Sequence, residues 1–267
     1  VNRFLDDNSP LDRVRLYADG GDDADIWAGL AELGVPALLV PEAQGGIGLN
    51  PLDAAIVAES LGAHITPSPF LGTAVMAPTA LVASGGNHDD LLAEIAAGTH
   101  RVGIAFSEAI KRRNDARVEA RDSRLFGKSL FAFDADANSY LVADQNKHLY
   151  LVAAQDPGLT RTRLTTVDKT RRTVELNYDD VAAQCISTDV GVFERVLDIG
   201  RVAIAADTLG AAQNMLDQAV EYAKQREQFN RPIGSFQAVK HMCAEMAAQL
   251  EPCLSLIHIS EPTRRYE

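Results

Sequence analysis

The sequence predicts a multi-domain α and β protein. It reads as an N-terminal helical domain over residues 1–100, a small middle β-barrel or sandwich over 101–187, and the start of a C-terminal helical bundle, incomplete here, over 188–251. Three observations carry this. Apolar residues recur at helical spacing through the first hundred positions. Short alternating or β-branched runs replace them from Arg101, and helical spacing returns after Gly191.

The elements follow in order. "DADIWAGLAELG" places Ile26, Leu30 and Leu33 on one helix face and stops at Gly34, a residue that closes helices because it accepts positive φ. "LLVPEAQGGIGLNP" breaks the period with Pro41, Gly45, Gly46 and Gly48 and reads as a loop. Pro51 then sits where a first helical turn tolerates proline, followed by Leu52, Ile56, Glu59 and Leu61. Ala-rich helices are expected over 72–83 and 89–97. From Arg101, the runs "RVGIAF", "ARVEA", "RLFGKSLFAF", "SYLVA", "HLYLVA" and "RTVELNY" predict strands, divided by turns such as Asp156-Pro157-Gly158. A very long helix is then expected, with Val202, Ala205, Leu209, Ala212, Leu216, Val220 and Ala223 marking one face. A second helix presents Phe236, Val239, Cys243, Met246 and Leu250.

With 267 residues, 46% of them hydrophobic and 23% charged, the chain can bury a real core. Its formal charge of -12 argues against nucleic acid and anionic membranes as partners, since both need clustered Lys and Arg. A few well-placed arginines can still hold a small anion. Cys185, Cys243 and Cys253 form no CxxC pair and no disulfide framework, which suits a reducing compartment. No metal-ligand spacing, signal pattern or membrane-spanning run is present, so a soluble, cytoplasmic protein is expected.

The richest stretch is "AKQREQFNRPIGSFQAVKH", residues 223–241, between the two C-terminal helices. It gathers guanidinium, amide and aromatic groups within a dozen positions, and Gly234 permits close backbone approach. From spacing alone, a solvated inter-helix turn plugged by Phe229 and Phe236 is the favoured reading.

"YAKQREQFNRPIGSFQAVKHMCAEM", together with "LGVPALLVPEAQGGIGL" and "AESLGAHITPSPF", resembles the acyl-CoA dehydrogenase family over residues 11–251. The resemblance implies an FAD flavoprotein that forms a 2,3-enoyl-CoA from an acyl-CoA in fatty-acid or steroid side-chain metabolism. It would remove an α-proton, pass a β-hydride to flavin and send electrons to an electron-transfer flavoprotein, within a homo- or heterotetramer. It also implies that Arg226, Gln228 and Phe229 meet the FAD of a neighbouring subunit, with Phe236 and Gln237 near it. Phe131 would flank the flavin ring, and Asp198 and Arg201 would lie near the thioester and CoA. An ordinary i,i+3 helix pair is the simpler reading of the last two.

The sequence also departs from the family. "AFSEAIKRRNDAR" keeps only Ser107-Glu108 of the expected flavin loop and runs into Lys111-Arg112-Arg113, a pattern usual in solvated turns. Phe133 stands where a hydroxyl commonly bonds the flavin, and Phe131 with Phe133 reads equally as one apolar strand face. Of two family positions for the catalytic Glu, one is Gly200, which has no side chain, and the other falls beyond residue 251. No base is therefore named. The closing "PCLSLIHISEPTRRYE" (252–267) has no matching period and resembles a translated sequencing adapter. A non-native tail is expected there, with an inactive, poorly soluble chain whose Val202 and Met246 faces lie uncovered. Two further readings stay open: a non-catalytic or half-site partner subunit of a heteromeric enzyme, and an oxidase or monooxygenase on the same scaffold.

Overall fold

The computed structural model describes residues 1–111 and 116–259, with side chains to residue 255. Arg112 and Arg113 of the basic run, and 260–267 of the tail, lie outside the described residues. The N-terminal third is helical: α1 Asn2–Asn8, α2 Leu11–Ala18, α3 Ala24–Glu32, α4 Pro51–Ala63, α5 Ala77–Ala83 and α6 Asp89–Ala96. Ile26 and Leu30 of α3 are buried as expected, whereas Leu33 lies just past its end and is exposed. Gly34 takes φ 77°, the left-handed conformation that ends the helix. Pro51 opens α4 behind an Asn50–Asp53 capping box, in which each side chain accepts a backbone N–H of the other's end. The helix expected over 72–83 is two pieces, since a wider-wound turn, Leu71–Met76, feeds α5.

The middle segment is one mixed sheet. Its strands are β1 Val102–Ala105, β2 Val118–Arg121, β3 Arg124–Phe133, β4 Ser139–Ala143, β5 Leu149–Ala153, β6 Leu159–Arg163, β7 Thr173–Ala182 and β8 Gln184–Ser187, with a short helix, α7 Ser107–Ile110, after β1. They are ordered β6-β7-β3-β1-β4-β5-β8, with β2 also paired to β3, and only β1 and β4 run parallel. One face encloses Val118, Leu125, Tyr140, Val152, Leu176 and Val181. From the other face, Val102, Ile104, Leu141 and Leu149 pack on α5, α6 and the start of the next helix. The sequence pattern missed β6, whose "LTRTR" leaves four of five residues in solvent, and β8. It also read residues 107–110 as loop, where α7 forms and buries Glu108.

The long helix α8 is Val190–Gln225, 36 residues begun by Asp189, whose carboxylate accepts the Gly191 N–H. Its marked apolar face is largely uncovered, as expected at Val202 and also at Met246 of the next helix, and the buried face is a different one. Ala203, Ala206 and Gly210 are covered, while Val202 is 43% exposed and Ala205 is also exposed; of the expected stripe only Leu216 and Ala223 are buried. The cause is a close backbone crossing with α4. A Cβ on Gly62 would fall on the Asp207 carbonyl oxygen, and one on Gly210 would fall on that of Glu59. Small residues let the two helices approach, and the large ones point elsewhere. A short hairpin, β9 Glu227–Gln228 with β10 Arg231–Pro232, leads into α9, Gln237–Ile259. Contrary to expectation, α9 does not stop at Glu251. It continues through Pro252 at the cost of the rung that the missing N–H would have made to Ala248.

Candidate functional site

The joint between α8 and α9 is an outward-facing hairpin. Arg226 leaves the helix with φ -72° and ψ 122°. Phe229 and Asn230 both take positive φ, 54° and 60°, which is the type I′ turn that two-residue hairpins favour. The hairpin is fastened to its base. The Ile233 N–H donates to the Arg226 carbonyl at 2.8 Å, and Gly234 lies so close that a Cβ would come within 2.9 Å of the Ala223 carbonyl oxygen. Phe229 is 87% exposed, with its ring edge-on to Phe236 at 6.1 Å. The Arg231 guanidinium stacks on Phe236 at 4.1 Å. Arg226, Gln228 and Gln237 are exposed, and Phe236 is half-buried. The structure thus gathers Arg226, Gln228, Phe229 and Phe236 into one presented unit, with Gln237 opening α9 beside it. Arg231, which the sequence places in this stretch but which was not among the expected flavin contacts, belongs to the same unit.

Asp198 and Arg201 lie elsewhere. They form an i,i+3 ion pair at 2.9 Å with both side chains largely in solvent. The pair borders an open hollow of about 270 Å³ with Lys147, Phe193 and Ile110. From Arg201 to the end of α8 is 24 residues, roughly 36 Å at helical rise. Gly200 faces neither this hollow nor solvent. It is buried against Met76, whose Sδ would sit 2.9 Å from a Cβ there.

A larger cavity, about 330 Å³, lies between α4, the 65–71 segment, the β6–β7 loop and α8. Leu61, Ile65, Phe70, Leu71, Ile204 and Met215 make its apolar wall. Across it the Arg171 guanidinium, from the loop, bonds the Asp207 carboxylate of α8. Burial holds the Asp207 carboxyl above its ordinary pKa, although Arg171 opposes this. The sequence reading missed this site. Its wall is assembled from four separate segments, and Arg171 sits in a polar run that reads as a turn.

On β3, Phe131 is neither in a regular strand nor packed with Phe133 as one uniform face. The ladder to β7 slips between Ser129 and Ala132, and Phe131 takes φ 55° with 43% of its surface exposed. This is a bulge, which re-aims a side chain. Phe133, half-buried, borders a small space of about 50 Å³ shared with Asp134 and Leu71. Asp134 follows at φ 64°; its Oδ1 accepts the Asp136 N–H at 3.1 Å, and its sealed Oδ2 accepts nothing from the described residues. Burial pushes this carboxyl up to about 6 against the pull of Arg101, which is itself engaged with Asp23 at 2.9 Å. Beside it, Arg172 bonds the carbonyls of Tyr17 and Gly21 and lies 3.9 Å over the Tyr17 ring, tying the sheet to the N-terminal helices.

Comparison with known proteins gives these features a frame. Residues 1–99 match the model of the acyl-CoA dehydrogenase N-terminal domain, and residues 190–259 match that of the acyl-CoA dehydrogenase C-terminal domain. The chain is 32% identical over 262 residues to the acyl-CoA dehydrogenase IpdE2 of Mycobacterium tuberculosis, covering 94% of this chain and 70% of the relative. Among solved structures it is similar to the Tcur3481-Tcur3483 steroid ACAD, with 28% identity, TM-score 0.83, and coverage of 94% of this chain and 72% of the other. It is also similar to the ChsE4-ChsE5 complex of Mycobacterium tuberculosis, with 25% identity, TM-score 0.85, and coverage of 96% and 74%. The two domain matches and the extended similarity to IpdE2 show that the chain belongs to the acyl-CoA dehydrogenase family.

Proposed function

We propose that the chain works in an FAD-dependent acyl-CoA dehydrogenase that converts an acyl-CoA to its 2,3-enoyl-CoA. The observation that carries this is the hairpin at 226–237, a preorganised set of guanidinium and aromatic groups facing outward from the chain that bears it. Its donors suit a pyrophosphate, and Phe229 offers a flat face to a planar ring. The cofactor therefore fits there, with Arg226, Gln228, Phe229, Phe236 and Gln237 as its holders. The 36 Å of helix between the hairpin and Arg201 favours a flavin seated mainly on a neighbouring subunit. When bound, the flavin supplies the hydride acceptor.

The cavity of about 330 Å³ takes the acyl portion, since its wall is mostly apolar and it excludes water from the chain it encloses. Asp198 and Arg201 mark the hollow where the CoA portion would lie, Arg201 offering its guanidinium to phosphate. The α-proton needs a carboxylate beside the thioester. Gly200 supplies none and is filled by Met76, so we assign the base to another part of the assembly. Electrons leave to an electron-transfer flavoprotein, and the assembly is a homo- or heterotetramer.

A half-site role in a heteromeric enzyme draws on two observations: Phe133 offers no hydrogen bond to a flavin, and Gly200 is packed shut. Both readings are tested by purifying the protein with its genomic neighbours. Flavin absorbance that bleaches with acyl-CoA, and enoyl-CoA by mass spectrometry, support the dehydrogenase. Turnover by this protein without a second subunit type removes the half-site role, and absence of flavin from every combination refutes both. Oxygen consumed in step with substrate would identify an oxidase or monooxygenase instead.

A further inference from the structure

The acyl cavity has an unusual end. Its wall is mostly apolar, with the hydroxyls of Thr66, Ser68 and Thr170, and its charged groups are Arg171, Asp207 and Asp168. Two carboxylates and one guanidinium leave that end with one net negative charge. Arg171 spends one hydrogen bond, on Asp207, and approaches Asp168 only to 3.9 Å, so most of its five donors make no hydrogen bond to the described residues. Asp207 likewise bonds through Oδ2 alone, which leaves Oδ1 an acceptor at the cavity wall. The pair is also held in place. Gly62 of α4 rests directly on the Asp207 carbonyl, and α8 is continuous through it.

An ion pair in this setting is poorly explained by stability. The side chains keep 37% and 26% of their surface, so solvent screens the attraction and the pair contributes little to stability. The burial that raises the Asp207 carboxyl is a desolvation cost on one partner. A neutral hydroxyl or carbonyl on the ligand would recover it, because Asp207 Oδ1 would accept an O–H and Arg171 would donate to a C=O. A plain alkyl end leaves both unsatisfied, and an anionic end meets net negative charge.

Resting on the acyl-CoA reading above, we propose that Arg171 and Asp207 are specificity-determining residues that select acyl groups carrying a neutral oxygen function, hydroxyl or ketone, at the end remote from the thioester.

The experiment measures dissociation constants by calorimetry on the intact protein in its native assembly. The probes are short- and medium-chain acyl-CoAs with their ω-hydroxy, (ω-1)-oxo and ω-carboxy counterparts. The hydroxy or oxo compound should bind about tenfold or more tighter than the plain one of equal length, and the carboxy compound weakest. In Arg171→Met with Asp207→Leu, which replaces the pair by apolar volume, that preference should vanish or invert while the plain acyl-CoA still binds. Asp207→Asn should keep the hydroxy preference and admit the carboxy compound. Equal binding of plain and oxygenated probes, or a preference unchanged in the double variant, overturns the proposal and leaves the acyl-CoA reading standing. Failure of every acyl-CoA to bind overturns both.

Discussion

Asp134→Asn isolates one titrating group. Asp134 sits just past β3, and the groups facing it are Tyr17 and Asp23 from the N-terminal helical region, Arg101 before β1, and Asp136 two residues on. The Tyr140 hydroxyl donates to its backbone carbonyl at 3.0 Å. Burial dominates, so the folded chain holds the Asp134 proton up to about 6 against an ordinary value of 3.8. The folded state then binds more protons than the unfolded state between those values. Stability therefore falls as pH rises through that window and stops falling once the folded group is ionised. The full effect is of order 3 kcal/mol, of which about 1–2 kcal/mol is lost between about pH 5 and pH 8. Asparagine keeps the shape, accepts the left-handed φ of 64° and carries no charge. Any cost of burying its amide is the same at every pH. Denaturant midpoints followed by circular dichroism at four pH values should thus show wild type losing about 1–2 kcal/mol relative to the variant between about pH 5 and pH 8, and thermal melts a drop of a few °C. A wild-type-minus-variant difference that stays flat across pH, or that slopes upward, refutes the reasoning.

Gly62→Ala replaces a poor helix former with a good one, yet it should destabilise by about 1–3 kcal/mol, because the new methyl meets the Asp207 carbonyl; a raised Tm would contradict the close crossing. Phe229→Gly removes an exposed ring at a positive-φ position, so Tm should hold or rise slightly while flavin retained through gel filtration of the assembly falls. Unchanged flavin content would remove Phe229 from the holders. Gly200→Glu should cost about 1–3 kcal/mol without adding enoyl-CoA formation, as Met76 must swing aside and a carboxylate enters a buried position. A stable, more active variant would show that this position opens onto substrate.

The parts of the fold that were legible in the sequence are those written in local chemistry. Gly34, the Asn50-Pro51 start and the alternating strands fix their own backbone, and the hairpin motif carries its residues together over a dozen positions. The long helix shows why the rest was not. Hydrophobicity picked Val202 and Ala205, but the contact with α4 is made by Ala203, Ala206 and Gly210, where the smallest side chains permit the closest approach. On α4 the same inversion leaves Ile56 exposed and Ala54, Ala55 and Ala58 buried. A pattern of small residues at 200, 203, 206 and 210 was the signal available, and it competes with the apolar period rather than reinforcing it. The Arg171–Asp207 pair lies 36 positions apart in a loop and a helix, so no spacing rule joins it.

If the hairpin holds a flavin as proposed above, its local order suits a ligand seated on another chain. A side chain meant for a site within its own subunit can be ordered by that site; one offered to a neighbour must be ordered beforehand or lose entropy on docking. Here the ordering is local. The I′ turn fixes Phe229 and Asn230, the Arg226–Ile233 hydrogen bond closes the loop, Gly234 seats it on Ala223, and Arg231 and Phe229 both lean on the Phe236 ring. Positive φ at a phenylalanine is sterically costly, and a turn built only to reverse the chain would carry glycine there. The phenylalanine makes sense where its exposed ring contributes more to binding than its backbone strain costs the fold, which is the condition met by an anchor presented to another surface.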